Sequence, residues 1–270
     1  MSAQMIYEQA LNGAPVTLAD LPKLATLNTG HFTAMQISAG KVKGRQLHLD
    51  RLEASSITLF GCSVPVEKLL SYIRTSVGDS FCSLRVHIFS AAANPGTITP
   101  DDLQVLVIRS APVEMNTTPM AVGLAEYERF MPYIKHAGIS IGLQYYKRHA
   151  LLNGYDDVLY TTARGHISEG SIWNIGFYDG VGFIFPSAPA LPGIMLQLIM
   201  DGLERLKIPF RRDWVHTRQL GSFKAAFAMN SITAAQPIRQ IYDVDFPVEA
   251  AVFNMLEEAY DQIPWKVLSH

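Results

Sequence analysis

Between Pro132 and Gly176 the chain reads PYIKHAGISIGLQYYKRHALLNGYDDVLYTTARGHISEGSIWNIG, and this stretch constrains what the rest can build. Ala137 to Leu152 has the character of a helix, and Gly154 is placed to end it. Asp157 to Thr162 reads as a strand, Ala163-Arg164-Gly165 turns the chain back, and a second strand delivers Glu169 within Ser168-Glu169-Gly170-Ser171. The unit sets one amine, Lys135, before the helix. It sets one carboxylate, Glu169, at the end of the hairpin, 34 residues further on.

A chain of 270 residues can bury a substantial core, as one large domain or two modest ones. Hydrophobic residues make up 49%, charged residues 17%, and the net charge is -2. That balance describes a compact soluble protein and gives no electrostatic case for nucleic acid or an anionic membrane surface. No apolar run approaches the roughly 18 residues of a membrane span. The start, MSAQMIYEQALNGAPV, has no basic region followed by an apolar one, so no secretory signal is expected. Cys62 and Cys82 lack the paired spacing of a zinc site. They fit a reducing cytoplasm with free thiols, the alternative being a disulfide between them. The eight histidines are scattered and no HExxH pattern occurs, so no metal site is expected.

Along the chain, Asn12-Gly13 is a hairpin turn signal. Thr17 to Leu27 is a short helix or an irregular connection. His31 to Ser38 reads as a strand, turned by Ala39-Gly40-Lys41. Leu47 to Phe60 is patterned as a helix with Leu49, Leu52 and Leu59 toward a core, and Pro65 suits the first turn of another helix, Val66 to Val77. Leu84 to Ser90 and Leu103 to Arg109 are short apolar strands. These elements give an N-terminal α+β domain, residues 1–110. Residues 111–119, APVEMNTTP, lack periodicity and hold two prolines, as a linker would. A larger C-terminal domain, 120–270, follows. In it, Val181 to Phe185 is a strand, Ile194 to Leu206 a helix, Ala225 to Met229 a strand leading into Asn230-Ser231, and Val248 to Tyr260 a final helix.

The phrases IKHAG, GYDDVLYTT, ISEGSIWNIGF and ALPGIM together resemble the class IV (fold type IV) aminotransferase family. That family includes branched-chain and D-amino-acid aminotransferases and aminodeoxychorismate lyase. The resemblance runs from about Gly13 to about Ile241. It implies a two-domain α+β fold of type IV, with pyridoxal 5'-phosphate as cofactor and a small-molecule amine as substrate. Lys135 is then the Schiff-base lysine and later the acid–base group. Glu169 holds the pyridine nitrogen protonated, so that the ring can accept electrons. The phosphate falls to Arg51, to the backbone N–H groups of Gly193, Ile194 and Met195 where a helix opens, and to Ser231. His31 and Thr33 match the strand that reaches the substrate side. Family members complete the site with a loop from a partner subunit, which implies a homodimer.

Each of these residues has an ordinary alternative. Lys135 alone would be a solvated lysine, Pro192-Gly193 a turn, and Arg51 a helix-surface arginine. Lys147, in QYYKRH, is the rival lysine and is assigned to the solvated face of its helix. Asn174 is read as support for its loop. Arg85 and Arg109 are cations available to a substrate carboxylate, and Tyr127, Arg129 and Tyr145 stay unassigned.

The chain also departs from branched-chain aminotransferases. It has Ser140 in place of a tyrosine five residues after the lysine, Thr33-Ala34 in place of Glu-Thr, and Met195 in place of the threonine of LPGIT. Phe32-Thr33, Lys135-His136, Gly193-Ile194-Met195 with Gln197, and Asn230 seven residues before Pro237 look more like aminodeoxychorismate lyase. The expected activity leans to that lyase, with an amino-acid transaminase as the alternative and a ligand-binding relative without turnover as a remote third.

Overall fold

The structure, a computed structural model, describes residues 8–77, 81–92 and 94–268. Residues 1–7, part of the stretch read for a secretory signal, lie outside the described residues, as do the side chains at positions 139 and 140. The chain divides into two compact units. The first holds the described residues up to Val113, together with Ile134–Gly138 and the end of the chain from Trp265. The second holds Glu114–Tyr133 and Ile139–Pro264. A single cut in the chain therefore does not separate them.

The first unit contains β1 (Glu8–Leu11), β2 (Ala14–Pro15), the short helix α1 (Leu21–Leu24), β3 (His31–Ile37), β4 (Lys41–Lys43), α2 (Arg45–Phe60), α3 (Val66–Val77), β5 (Cys82–Ser90) and β6 (Leu103–Ser110). Asn12 and Gly13 both have positive φ, 51° and 83°, the geometry of the tight turn their sequence announces. The sheet is antiparallel in the order β2-β1-β6-β5-β3. Met35, Ile37, Leu84, Val86, Val105 and Val107 alternate onto the face that packs with Leu52 of α2 and Ile73 of α3. The strand Trp265–Val267 pairs antiparallel with β4. Cys62 and Cys82 form no disulfide.

The second unit contains β7 (Met120–Glu126), α4 (Ser140–Leu152), β8 (Asp157–Thr161), β9 (Ile167–Gly170), β10 (Asn174–Tyr178), β11 (Phe183–Pro186), α5 (Ile194–Arg205), β12 (Phe210–Asp213), β13 (Ala225–Met229), β14 (Gln236–Ile241), β15 (Val244–Asp245) and α6 (Ala250–Asp261). The strands form one mixed sheet in the order β12-β11-β10-β13-β14-β7-β8-β9, with β15 beside β14. β7 runs parallel to both of its neighbours, β14 and β8. One core lies between α5, α6 and the aromatic face of β11 and β13, with Phe183, Phe185, Phe227, Ile199 and Leu256 fully buried. A second core holds Leu159, Ile167, Ile175, Phe177 and Ile238.

The protein is thus mixed α+β, with a smaller antiparallel sheet and a larger mixed one. The predicted helix at Ala137 begins as a 3-10 turn, Ala137–Ile139, before α4 proper. β7, β10, β12 and β14 arise where no strand is anticipated from the sequence. Among the described residues no helix is long and apolar enough to cross a membrane.

Candidate active site

β8 and β9 form the hairpin that presents Glu169. Their register pairs Thr161 with Ile167 but Leu159 with Gly170. Two residues on β8 therefore span three on β9, so Ser168 and Glu169 together oppose Tyr160 in a β-bulge. A bulge re-aims one side chain, and here it lets Glu169 leave the face held by Ile167, which is buried in a core.

Glu169 is buried, at 7% exposure, and an ionised carboxylate there needs partners. Both of its oxygens accept hydrogen bonds. Oε1 accepts from Arg129 Nε at 2.6 Å, and Oε2 accepts from the backbone N–H of Leu191 at 3.1 Å. Arg129 is itself buried and donates from Nη2 to the carbonyl of Pro132. Sequence reading leaves Arg129 unassigned. The signal available is physical: a carboxylate held against a cofactor ring and away from water requires a cation, and Arg129 lies in an aperiodic stretch shortly before Lys135.

The bond to Leu191 ties Glu169 to the approach of α5. Asn174 Nδ2 donates to the carbonyl of the same Leu191 at 2.8 Å, so Asn174 supports this loop, as its sequence position suggests. A Cβ built on Gly193 would collide with Asn174 Oδ1, so a larger residue there would have to displace the Asn174 amide from Leu191. Gly193 caps α5 with no side-chain hydrogen bond, and the first intrahelical bond runs from Gln197 N to Gly193 O. The N–H groups of Ile194 and Met195 at the helix start have no intrahelical acceptor, while both side chains are buried. These two residues can offer an anion only their backbone. Ser231 follows β13 in a turn where Asn230 Oδ1 accepts from the N–H groups of Ile232 and Thr233. Since Asn174 pairs with Met229, Ser231 leaves the sheet at the end where Asn174 and Gly193 meet.

Lys135 belongs to the first unit. Its segment runs along the edge of β3: Phe32 N donates to Lys135 O at 2.9 Å, and Ala137 N donates to Gly30 O at 2.7 Å. Lys135 Nζ sits 4.9 Å from the centre of the Phe32 ring, a cation–π distance. Phe32 stacks on His87 at 4.8 Å. His31 and Thr33 point the other way, as strand alternation requires. Both are buried against α2, His31 Nε2 lying 2.8 Å from Ser56 Oγ and Thr33 Oγ1 2.7 Å from His48 Nδ1. Burial pulls His31 and His48 down to about 3, assisted by His87 and Arg51 respectively. Arg51 lies one turn beyond His48 on α2. The first unit thus carries Lys135, His31, Thr33 and Arg51, and the second brings together Glu169, Gly193, Ile194, Met195 and Ser231.

Lys147, the rival lysine, is half-exposed and pairs with Asp157 Oδ2 at 2.9 Å. Arg109 is engaged by Glu8 at 2.7 Å. Arg85, by contrast, is exposed on β5, at the register position of Ala34.

The family model for amino-transferase class IV matches residues 30–241. The chain belongs to the class IV aminotransferases. A comparison with curated protein sequences finds no match. Among solved structures, a branched-chain aminotransferase from Escherichia coli has TM-score 0.80 at 19% identity, covering 96% of this chain and 94% of that one. The T.th. branched-chain aminotransferase, solved with pyridoxamine 5'-phosphate, has TM-score 0.81 at 15% identity, covering 98% and 100%. A protein from Legionella pneumophila assigned as a 4-amino-4-deoxychorismate lyase has TM-score 0.74 at 15% identity, covering 87% and 91%. At such identities the likeness shows the fold, which is type IV, and the family is mostly one of pyridoxal-phosphate enzymes.

The second unit's residues fit that cofactor. A buried, doubly anchored carboxylate suits a protonated ring nitrogen, and the start of α5 with Ser231 suits a phosphate. Two buried hydroxyls, Tyr160 Oη and Ser171 Oγ, have no hydrogen-bond partner among the described residues. A buried donor without an acceptor is costly unless a ligand supplies one.

Proposed function

We propose that this class IV protein is a pyridoxal-phosphate enzyme that acts on a small-molecule amine through Lys135. The observation that carries the reading is Glu169, a buried carboxylate fixed on both oxygens by Arg129 and Leu191 N–H. Bound with a protonated ring nitrogen, the cofactor withdraws electrons from a substrate carbon. Glu169 keeps that nitrogen protonated, and Arg129 keeps Glu169 ionised and aimed. The backbone N–H groups of Gly193, Ile194 and Met195, the Ser231 hydroxyl and the Arg51 guanidinium are the phosphate's donors. Lys135 Nζ would hold the cofactor and would be the base that takes the proton from the substrate carbon. His31 and Thr33 reach any substrate only through the α2-facing side of β3, so the Phe32 side of that strand is the more direct candidate.

The reaction we favour is the lyase one, 4-amino-4-deoxychorismate to 4-aminobenzoate and pyruvate. Its support is in the residues: the side chain of Met195 is buried and offers no hydroxyl, and Gln197 Nε2 backs the loop by donating to the carbonyls of Pro192 and Gly193. Amino-acid transamination is the second reading. One titration separates them. Purified protein should gain a visible absorption band with pyridoxal phosphate, and Lys135→Ala should lose it. A band that survives in Lys135→Ala, or never forms, sinks the assignment. If amino acids then bleach the band and keto acids restore it, the enzyme is a transaminase. If amino acids leave it alone and aminodeoxychorismate yields 4-aminobenzoate and pyruvate, it is the lyase.

We also propose a homodimer. Phe130, Tyr133, Ile141 and Tyr145 are large, exposed and close in sequence, leading into and along α4. Sedimentation at micromolar concentration as a monomer would count against it.

A further inference from the structure

We infer that Tyr160 is a cofactor-positioning residue whose hydroxyl donates a hydrogen bond to the ring oxygen of bound pyridoxal phosphate. The inference rests on the cofactor reading above and on three observations in the second unit.

Tyr160 sits at the centre of the bulge. It is the one residue of β8 that Ser168 and Glu169 jointly oppose, so the strand that aims Glu169 also sets Tyr160 beside it. Its body is locked. The ring is 1% exposed and packs edge-on to Tyr127 at 5.0 Å and to Tyr146 at 5.9 Å, in a cluster with Leu143, Ala150 and Val158. Its backbone carbonyl accepts from Ser168 Oγ at 3.2 Å. Against this rigid background the hydroxyl is unsatisfied: Tyr160 Oη is buried and meets no acceptor among the described residues. Burial, then the charges of Asp157, Tyr127 and Glu169, pushes the phenol's pKa upward, so it stays a donor across the working pH range.

An aromatic hydroxyl in a dry site beside a carboxylate calls for an acceptor that arrives with a ligand. Held through its aldehyde carbon by an amine, pyridoxal phosphate keeps two kinds of acceptor oxygen, the phosphate group and the ring hydroxyl one carbon away from the nitrogen's neighbour. The phosphate's donors, the α5 amides and Ser231, lie at the Asn174 end of the sheet. The ring oxygen is close to the nitrogen that Glu169 serves, and it is the acceptor left for Tyr160.

Tyr160→Phe removes only the hydroxyl. Because that hydroxyl is unsatisfied in the free protein, the apoprotein should melt at the same temperature as wild type or higher. Its affinity for pyridoxal phosphate, measured by titrating the apoprotein, should fall about five- to tenfold, the worth of one hydrogen bond. With 3-deoxypyridoxal phosphate, which lacks the ring oxygen, wild type and variant should bind alike. Equal affinity of both proteins for pyridoxal phosphate overturns the inference. So does a variant whose loss persists with the deoxy compound, or an apoprotein that melts markedly lower, since each places the hydroxyl's partner elsewhere. If the variant does not fold, wild type still decides: it should hold pyridoxal phosphate more tightly than the deoxy compound, and equal affinities overturn the inference. A wild type that takes up neither compound removes the cofactor reading as well, and that result is read before any variant is made.

Discussion

Two buried polar regions handle water's absence in opposite ways. Around Glu169 the second unit keeps a charge away from solvent and matches it with another, Arg129, through a short charge-assisted hydrogen bond. Between β3 and α2 the first unit buries histidines and keeps them neutral, pairing His31 Nε2 with Ser56 and His48 Nδ1 with Thr33. The charged region can act on a ligand, because a fixed carboxylate alters the protonation of whatever binds beside it. The neutral layer can only shape and support. Under the proposed function, chemistry falls to the charged region and scaffolding to the neutral layer, and each assignment can be broken separately.

The largest effect should come from breaking the buried ion pair. Arg129→Ala leaves Glu169 without its cation, and removal of one partner from a buried pair costs about 3–5 kcal/mol. Denaturant unfolding should show that loss, with Glu169→Gln in the same background recovering much of it. A loss below about 1 kcal/mol, the scale of exposed pairs, would show that solvent reaches the site and that the charged region is not dry.

The neutral layer should answer to acid. His31 and His48 are held down to about 3, chiefly by burial, against about 6.5 in an unfolded chain. Between those values the unfolded chain holds more protons than the folded one. The stability they confer is therefore present above pH 6.5 and lost as the pH falls toward 3. Well below 6.5 each histidine should contribute a slope of about 1.4 kcal/mol per pH unit. His48→Asn should flatten the acid limb by one histidine's share. An unchanged limb would mean that His48 titrates as if exposed and that the layer is not the neutral region described.

Much of the fold was legible beforehand, whereas this contrast was not, and what was hidden has identifiable physical reasons. Glu169, Gly193 and Ser231 are singled out by a family resemblance, while the turns and the helix start around them are readable from the residues alone. α3 appears at its predicted bounds because its apolar residues keep helical spacing with proline ahead of it. β7 was hidden because its first half, Met120 to Gly123, is buried with no alternation, as befits a strand with parallel neighbours on both sides. The bulge at Tyr160 leaves no mark in a single sequence. The face of β3 was equally illegible: a period of two tells which residues share a side, not which side meets α2, so His31 and Thr33 could not be told from Phe32.

The smallest effect should come from the pair Lys147–Asp157, which sharpens the comparison because it is only half inside. Asp157 is buried, but Lys147 is 40% exposed on its side chain. Asp157 has further donors: Trp173 Nε1 reaches Oδ2 at 3.2 Å, and Val158 N reaches Oδ1 at 2.8 Å. Losing the lysine therefore leaves a solvated gap and a carboxylate still hydrogen-bonded twice. Lys147→Ala should cost no more than about 1 kcal/mol in denaturant unfolding, and less at high salt. Trp173→Phe is the informative partner. A Cβ on Gly170 would collide with the indole at Trp173 Cε2, so Trp173 packs directly on the turn that follows Glu169. If Lys147→Ala cost as much as Arg129→Ala, solvent exposure of one partner would not be what separates the two pairs, and the distinction between a charge that acts and a charge that merely pairs would have to rest on Glu169's place beside Leu191 and α5 alone.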